Sequence, residues 1–262
     1  MQHPLRQARP TDPFLRLRVD DRAIGAYAID GDHVVFLRTG RKSGETWATG
    51  LGDDPARILV LIDSLRGHGF DGVTVHDEVF AHLPADLRGP DPGHWSLWEL
   101  VGAPPAAECA LTDPISPGSM LASAHSVQLT LLAPDDPRID PLLAHSSSAY
   151  MYAGDPKINE WRGIIEGDRL VAVGAWTTSS SGDAHLVSIC TDPEYRGRGL
   201  GRAVTAGLAS AALEQGVPSV TLEMYAGNEP AARAYRSVGF VERGRYMSAL
   251  IQGGPPSPDA EE

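Results

Sequence analysis

Cysteine is scarce in this chain of 262 residues, which contains only Cys109 and Cys190. Neither has a partner at a zinc-ligand spacing, so the sequence predicts no disulfide framework and no zinc site. The nine histidines form no H-E-x-x-H motif, which leaves metal-dependent hydrolysis without support. Cys190 lies in a predicted strand, where we favour a small buried apolar residue over a catalytic thiol.

Positively charged residues are also few: the chain has 22 Lys and Arg against 34 Asp and Glu, which gives a formal net charge of −12. Nucleic acids and anionic membranes attract clustered Lys and Arg, so neither is an expected partner. The balance suits a cationic acceptor such as an amine, or simply favours solubility. No apolar run approaches the roughly 18–20 residues of a membrane span, and residues 1–6 show no apolar signal segment. We therefore expect a cytoplasmic protein.

Prolines and a glycine interrupt both helical and strand periodicity at residues 104–119. We interpret residues 104–125 as a linker between an N-terminal α/β domain at 12–103 and a C-terminal domain at 126–251. A chain of this length allows one or two domains with real cores. Residues 252–262 are rich in Gly, Pro and acidic residues and are predicted to be disordered.

Apolar periodicity predicts alternating strands and helices in both halves. The first half contains strands 23–30 and 33–38, joined by a turn with Gly31, then helix 54–66, strand 72–75, helix 77–83 and strand 95–101. The second half contains strand 127–132, helix 137–149, strands 161–166, 170–177 and 185–191, helix 202–215, strand 219–225, helix 231–237 and strand 240–251. This alternation predicts an α/β fold with helices packed on the faces of a sheet.

A glycine-rich turn, R-G-R-G-L-G at residues 196–201, separates strand 185–191 from helix 202–215. Such a turn presents backbone N–H groups to an anion such as a pyrophosphate, at the positive end of a helix. No G-x-x-x-x-G-K-S/T motif occurs, and R-x-x-G-x-G differs from the dinucleotide pattern G-x-G-x-x-G. The structural alternative is an ordinary glycine-rich turn.

A second motif follows at residues 228–240, where N-E-P-A-A-R-A-Y ends in V-G-F. The two motifs resemble those of the GCN5-related N-acetyltransferase superfamily, Q/R-x-x-G-x-G/A and N-x-x-A-x-x-x-Y-x-x-x-G-F, in the same order and at the same distance. This resemblance covers residues 126–250. It implies a mixed, mostly antiparallel central sheet flanked by helices, and acetyl-CoA as the acyl-donor substrate.

The resemblance also implies which residues bind the donor. The strand before the glycine turn splays from its neighbour and its backbone binds the pantetheine arm, while the turn holds the pyrophosphate. Asn228 is a predicted helix N-cap that also touches the donor, although the cap alone would explain it. The implied donor-binding residues are Ile189, Cys190, Thr191, Arg196, Gly197, Arg198, Gly199, Leu200, Gly201, Arg202 and Asn228.

Acyl transfer to an alkyl amine requires a base, because the amine arrives protonated. Glu223 has a spacing to Asn228 and Tyr235 that resembles that of the base in ribosomal-protein N-terminal alanine acetyltransferases. Tyr235 occupies the family's general-acid position. The structural alternatives are a glutamate that pairs with an arginine or faces water, and a tyrosine that is part of the core. His185 and Tyr225 are alternative bases or acceptor contacts that we leave unassigned.

The first half resembles a degenerate second copy of the fold, as in tandem acetyltransferases of the mycothiol synthase kind. Two carboxylates at Asp53 and Asp54 stand where a phosphate loop would be. The sequence thus predicts an acetyl-CoA-dependent N-acetyltransferase whose acceptor is a small amine or a peptide N-terminus. A non-catalytic acyl-CoA sensor or scaffold is the alternative. In the acetyltransferase prediction, the first half either selects the substrate or serves stability or dimerisation. A homodimer is therefore one of the predicted states.

Overall fold

The computed structural model of the protein describes residues 2–40, 44–104, 110–111, 125–126, 128–179 and 181–251. The predicted tail at 252–262 and most of the predicted linker, including Cys109, lie outside these residues. In the first part of the chain the elements are α1 (Pro4–Ala8), α2 (Pro13–Arg18), β1 (Ile24–Asp30), β2 (His33–Thr39), β3 (Thr46–Leu51), α3 (Pro55–Leu65), β4 (Gly72–His76), α4 (Asp77–Phe80), α5 (Ala85–Arg88) and β5 (Gly93–Leu100).

The second part of the chain continues the alternation of strands and helices. Its elements are β6 (Ala110–Leu111), β7 (His125–Ser126), β8 (Leu129–Leu132), α6 (Ile139–Leu143), β9 (Ile158–Glu166), β10 (Arg169–Thr178), β11 (Ala184–Thr191), α7 (Leu200–Glu214), β12 (Val220–Tyr225), α8 (Glu229–Val238) and β13 (Phe240–Leu250). The fold is mixed α/β with mostly antiparallel pairing, as the resemblance implied.

The chain forms two compact units, one made of Met1–Leu97 with Arg243–Glu262 and the other of Trp98–Glu242. The backbone passes from one unit to the other within β5 and within β13. These division points differ from the boundaries expected at 103 and 126, because the two strands are each shared in sequence between the units. The assignment of 12–103 and 126–251 as domains stays a prediction.

The first unit is an antiparallel meander followed by a parallel strand. β1 pairs with β2 and β2 with β3, both antiparallel, and α3 then leads to β4, which runs parallel to β3. Asp54 caps α3 by accepting from Ala56 N–H at 2.9 Å, and Pro55 occupies the first helical position. One apolar face of α3, including Ile58 and Ile62, is fully buried. The predicted hairpin and α3 are confirmed.

The second unit repeats this order. β8, β9, β10 and β11 pair in antiparallel fashion, and α7 connects β11 to β12, which runs parallel to it. One face of the sheet packs with Val204 and Leu208 of α7, and the other with Ile139 and Leu142 of α6. The strand β10 alternates between the two cores, because Ala172 lies in the first and Val173 in the second.

Several elements differ from the sequence-based expectation. The predicted helix 137–149 is reduced to α6, which ends before the three serines at 146–148; serine is disfavoured inside helices because its hydroxyl can compete for backbone hydrogen bonds. The predicted helix 77–83 ends at Phe80. The strand β3 was not predicted, since it is buried on both faces and shows no polar alternation. Helices α1 and α2 were also missed.

A helix that spans a membrane needs about 20 predominantly apolar residues. Among the described residues, none of the helices is both long and apolar enough to cross a membrane. The same part of the chain contains no group of three or more His, Cys, Asp or Glu side chains that could hold a metal ion.

Candidate functional site

The neighbouring parallel strands β11 and β12 separate at their carboxyl ends. They pair only at Ala184↔Val220, His185↔Thr221 and Leu186↔Leu222. Beyond the last pair, residues 187–191 of β11 have no partner in β12 within the described structure. We call the place where this pairing ends the cleft; it lies at the carboxyl ends of the strands, which is where open α/β sheets bind ligands. It lies at the residues expected to bind the donor, Ile189, Cys190 and Thr191.

A β-bulge lies at the mouth of this cleft. Val173 pairs with Cys190 and Ala175 with Val187, so that Ser188 and Ile189 stand opposite the single residue Gly174. Ser188 has φ of 52°, the only positive value among the described non-glycine residues, and its hydroxyl donates to the Met151 carbonyl at 2.9 Å. Bulges redirect a strand and are common beside functional sites. Nothing in the sequence pattern marked Ser188.

The turn after β11 is fixed by a buried carboxylate. Asp192 caps the turn by accepting from Glu194 N–H at 3.0 Å, and it accepts from Arg169 at 2.6 Å. Burial alone would raise the pKa of Asp192, but the hydrogen bond from Glu194 and the Arg169 guanidinium outweigh it and hold the pKa below its usual value. The glycine-rich segment therefore starts from a rigid support.

The three glycines of the turn differ in whether the backbone conformation requires glycine. Gly197 and Gly199 have φ of 80° and 78°, so the backbone itself requires them. Gly201 has no positive φ, and a Cβ there would meet only Thr191 Oγ1, at 3.5 Å. The fold alone thus tolerates a side chain at residue 201. What glycine offers at this position is close approach of another molecule to the backbone.

The N-terminus of α7 offers several backbone donors beside this glycine. Gly199 caps the helix, and Ala203 N–H is the first to donate back, to Gly199 O at 3.1 Å. Within the described residues, the N–H groups of Gly199, Leu200, Gly201 and Arg202 donate to no backbone acceptor. A helix of 15 residues adds its positive dipole end at the same point. The arrangement suits an anion such as a pyrophosphate.

Three side chains of the predicted donor site, those of Arg196, Arg198 and Cys190, are engaged elsewhere. Arg196 donates to the carbonyls of Thr191 and His145, at 3.2 and 3.3 Å. Arg198 lies over the Tyr195 ring, 4.6 Å from its centroid. Cys190 is buried and donates to Leu142 O at 3.4 Å, and burial raises the pKa of its thiol. Backbone groups thus remain the main donor-binding candidates.

Glu223 stands one residue beyond the last paired residue of β12. Val220, Leu222 and Met224 pack on the core beneath α7, so Glu223 projects from the opposite face of the strand together with Thr221. Its side chain is half-buried. This position, at the start of the cleft, is suitable for a base. The role itself stays a prediction.

Tyr235 lies on α8, half-buried against the core. Its ring packs edge-on with Trp98, at a centroid distance of 6.4 Å, and at a tilt with Phe240, at 6.2 Å. Burial raises the pKa of Tyr235 to about 12. The ring is therefore part of the core, as the structural alternative predicted. Its phenol is protonated at neutral pH. Trp98 was not among the predicted site residues.

The remaining residues considered from the sequence are also located. Asn228 caps α8 by accepting from Ala231 N–H at 3.2 Å, which confirms the cap. His185 is buried with Nδ1 3.0 Å from Thr221 Oγ1, whereas Tyr225 is exposed at the end of β12. The donor contact expected of Asn228 stays a prediction.

The first unit has a cavity at the corresponding strand ends. β3 and β4 pair only as far as Thr49↔Thr74, and a cavity of about 430 Å³ lies beyond. It is lined by Arg9, Asp32, Gly52, Asp53, His76, Asp77, Glu78, Val79 and Arg245. Burial lowers the pKa of His76, so its ring adds no charge at neutral pH. Four carboxylates against two guanidiniums give a lining unfavourable to a pyrophosphate.

Comparison with known proteins gives a family match for residues 132–240. Residues 132–240 match the family model described as the acetyltransferase (GNAT) family. The ribosomal protein bS18-alanine N-acetyltransferase of Escherichia coli is 40% identical over 60 residues, which are 23% of this chain and 40% of that protein. The chain therefore spans less than half the length of this curated relative.

Two solved structures resemble nearly the whole chain. A GNAT-family protein from Novosphingobium aromaticivorans has a TM-score of 0.53 at 20% identity, covering 98% of this chain and 100% of that one. A GCN5-related N-acetyltransferase from Kribbella flavida has a TM-score of 0.51 at 18% identity, covering 97% of each chain. At these identities the likeness concerns the fold alone.

Proposed function

Residues 132–240 are a GNAT acetyltransferase domain, and from this we propose that the protein is an N-acetyltransferase that uses acetyl-CoA and a primary amine. The observation that carries the proposal is the position of Glu223. It follows the last paired residue of β12, where that strand leaves β11. The glycine-rich turn follows the other strand of the same cleft.

The donor site is formed mainly by backbone. The free N–H groups of Gly199 to Arg202 would bind the pyrophosphate of acetyl-CoA, and Gly201 permits its close approach. The unpaired edge at Ile189 to Thr191 would hydrogen-bond the pantetheine arm and stabilise negative charge on the thioester oxygen. When bound, acetyl-CoA supplies the activated acetyl group.

Glu223 acts as the base in this proposal. It takes a proton from the ammonium group of the acceptor, directly or through water, and the neutral amine nitrogen then forms a bond to the acetyl carbon. The carbon–sulfur bond breaks, and Tyr235 donates its phenolic proton to the departing thiolate. The extra proton on the acetylated nitrogen passes to the Tyr235 phenolate, directly or through water, which leaves a neutral amide and restores the phenol. Direct attack needs no acyl-enzyme. The burial of Cys190 and the raised pKa of its thiol support this choice.

The acceptor class is proposed on two grounds. The spacing of Glu223 to Tyr235 leans toward a peptide α-amine, and the E. coli relative is named for acetylating an alanine of a ribosomal protein. The net charge of −12 suits a cationic acceptor. We therefore propose a peptide N-terminus as the first acceptor to test, with small amines as the alternative.

The test is release of free CoA thiol from acetyl-CoA in the presence of single acceptors. A peptide with N-terminal alanine should support turnover, and the same peptide with its N-terminus already acetylated should not. Spermidine and an aminoglycoside serve as small-amine acceptors. Tight CoA binding without turnover on any amine would instead favour the sensor or scaffold function, and neither binding nor turnover would contradict both.

A further inference from the structure

The parallel strands that form the cleft are joined at their other end by buried polar groups. Asp183, which is 5% exposed, accepts from Ser219 Oγ at 2.6 Å and from Ser181 Oγ at 2.7 Å. Ala184 N–H donates to Ser219 O at 3.0 Å. These bonds connect the start of β11 and the residues before it with Ser219, the residue before β12. The two strands are thus held together at their amino ends, and they separate at their carboxyl ends.

A second pair of side chains lies between this end and the cleft. His185 and Thr221 are directly opposed across the two strands, and both are buried. The Thr221 hydroxyl donates to Ala184 O at 3.2 Å. The Thr221 oxygen also lies 3.0 Å from His185 Nδ1. Since a hydroxyl has one hydrogen, donation to Ala184 O goes with a proton on Nδ1 of His185.

Thr221 is also joined by the backbone to Glu223. The two residues are separated by one position on β12 and share the face opposite α7. Between them, Leu222 is the last residue paired with β11. Thr221 thus fixes β12 at the position from which Glu223 enters the cleft.

We propose that Thr221, held by His185, is a positioning residue for the proposed base Glu223; this inference rests on the proposed function. The pair sets the point at which β12 leaves β11. It thereby sets the distance from the Glu223 carboxylate to the strand edge at Ile189 to Thr191. The pyrophosphate turn at Gly199 to Arg202 lies on another segment and does not depend on this pair.

If Thr221 positions Glu223, its substitution should lower kcat and leave the affinity for acetyl-CoA almost unchanged. Thr221→Val keeps the shape of the side chain but removes the hydroxyl, so His185 loses its acceptor and the start of the cleft shifts. A misplacement of this kind is expected to lower kcat about 10- to 100-fold. The KM for acetyl-CoA should change less than about twofold, since its main binding groups are untouched. Thr221→Ser, which keeps the hydroxyl, should restore kcat.

Thr74 provides a matched control in the first unit. Its side chain is equally buried, and its hydroxyl lies 2.9 Å from Ser248 Oγ. Thr74→Val should lower the melting temperature to an extent similar to Thr221→Val while leaving kcat unchanged. Equal loss of kcat in both variants would show a general effect of stability and would overturn the proposal.

A readout independent of activity is the ¹⁵N NMR signal of the His185 ring. The wild type should show the neutral tautomer with the proton on Nδ1, and Thr221→Val should shift that nitrogen. The opposite tautomer would overturn the assignment. If Glu223→Gln loses activity while Thr221→Val keeps wild-type kcat, the proposed base stands and the positioning role is wrong. If Glu223→Gln keeps full activity, the proposed base itself is wrong.

Discussion

Tyr235 combines two properties that follow from its surroundings. Its ring is packed by Trp98 and Phe240, and burial raises its pKa to about 12 from an ordinary 10.0. The phenol is therefore available as a proton donor across the neutral range, although it is a weaker acid than an exposed tyrosine. Packing and proton donation are compatible in one side chain, because the ring edge and the hydroxyl are separate parts of it.

We predict that Tyr235 forms tyrosinate with a midpoint near pH 12. Between pH 10 and 12 the folded protein holds this proton more tightly than the unfolded chain, so the contribution to stability is full below pH 10 and is lost as pH rises through 12. The measurement is an ultraviolet pH titration of wild type minus Tyr235→Phe. A difference midpoint near 10 would show that the ring is solvated.

Glu223 is the residue on which the proposed chemistry depends most. Glu223→Gln removes the base but keeps the shape, so we predict a fall in kcat of roughly 10² to 10⁴ with CoA affinity little changed. Steady-state kinetics and calorimetry with CoA measure the two quantities. Glu214→Gln, at the exposed end of α7, is the matched control and should keep wild-type values. A fully active Glu223→Gln would rule out this base.

At the scale of the secondary-structure elements, the turn between β11 and α7 contains glycines that the fold needs and one glycine that it does not need. The left-handed conformations of Gly197 and Gly199 are needed to form the turn. Gly201 has no such need, and its surroundings accept a Cβ. A glycine that the fold does not require is best explained by an approaching ligand.

Gly201→Ala tests this explanation. The melting temperature should stay within error of wild type, because the new Cβ makes only an ordinary contact with Thr191 Oγ1. The Kd for CoA should rise about 10- to 100-fold through weakened hydrogen bonds to the helix N-terminus. Gly67→Ala, where a Cβ meets open space, should change neither quantity. Unchanged affinity in Gly201→Ala would place the pyrophosphate elsewhere.

Across the molecule as a whole, the two units share an order of strands but differ in the chemistry at their strand ends. The second unit has glycines and free N–H groups there, and the first has Asp53, Asp77 and Glu78 around its cavity. The shared order supports the proposal that the first unit is a degenerate copy. From its carboxylates we predict that it does not bind CoA.

We predict a stoichiometry of one CoA per chain by calorimetry. Gly199→Glu places a carboxylate in the turn of the second unit and a side chain at a left-handed backbone position. Repulsion of the pyrophosphate and distortion of the turn both act against the ligand, so the variant should abolish all CoA binding. Asp53→Asn in the first unit should leave both stoichiometry and affinity unchanged. Residual binding in Gly199→Glu would reveal a second site.

Local patterns in the amino-acid sequence were sufficient to predict the elements in which those patterns are strong. The hairpin at Gly31, the helix α3 with its Asp54 cap, and the glycine turn before α7 follow from local preferences of backbone and side chain. The two motifs were likewise sufficient for the family of residues 132–240. These features depend on neighbours close in the chain, so the sequence carries them directly.

Features that depend on distant residues became visible only in the folded chain. The end of pairing between β11 and β12 after Leu222, the bulge at Ser188 and the contact of His185 with Thr221 join segments far apart in sequence. The packing of Tyr235 on Trp98 is of the same kind. Such features are set by which strands come to lie side by side, and a periodic pattern within one segment carries no information about that choice.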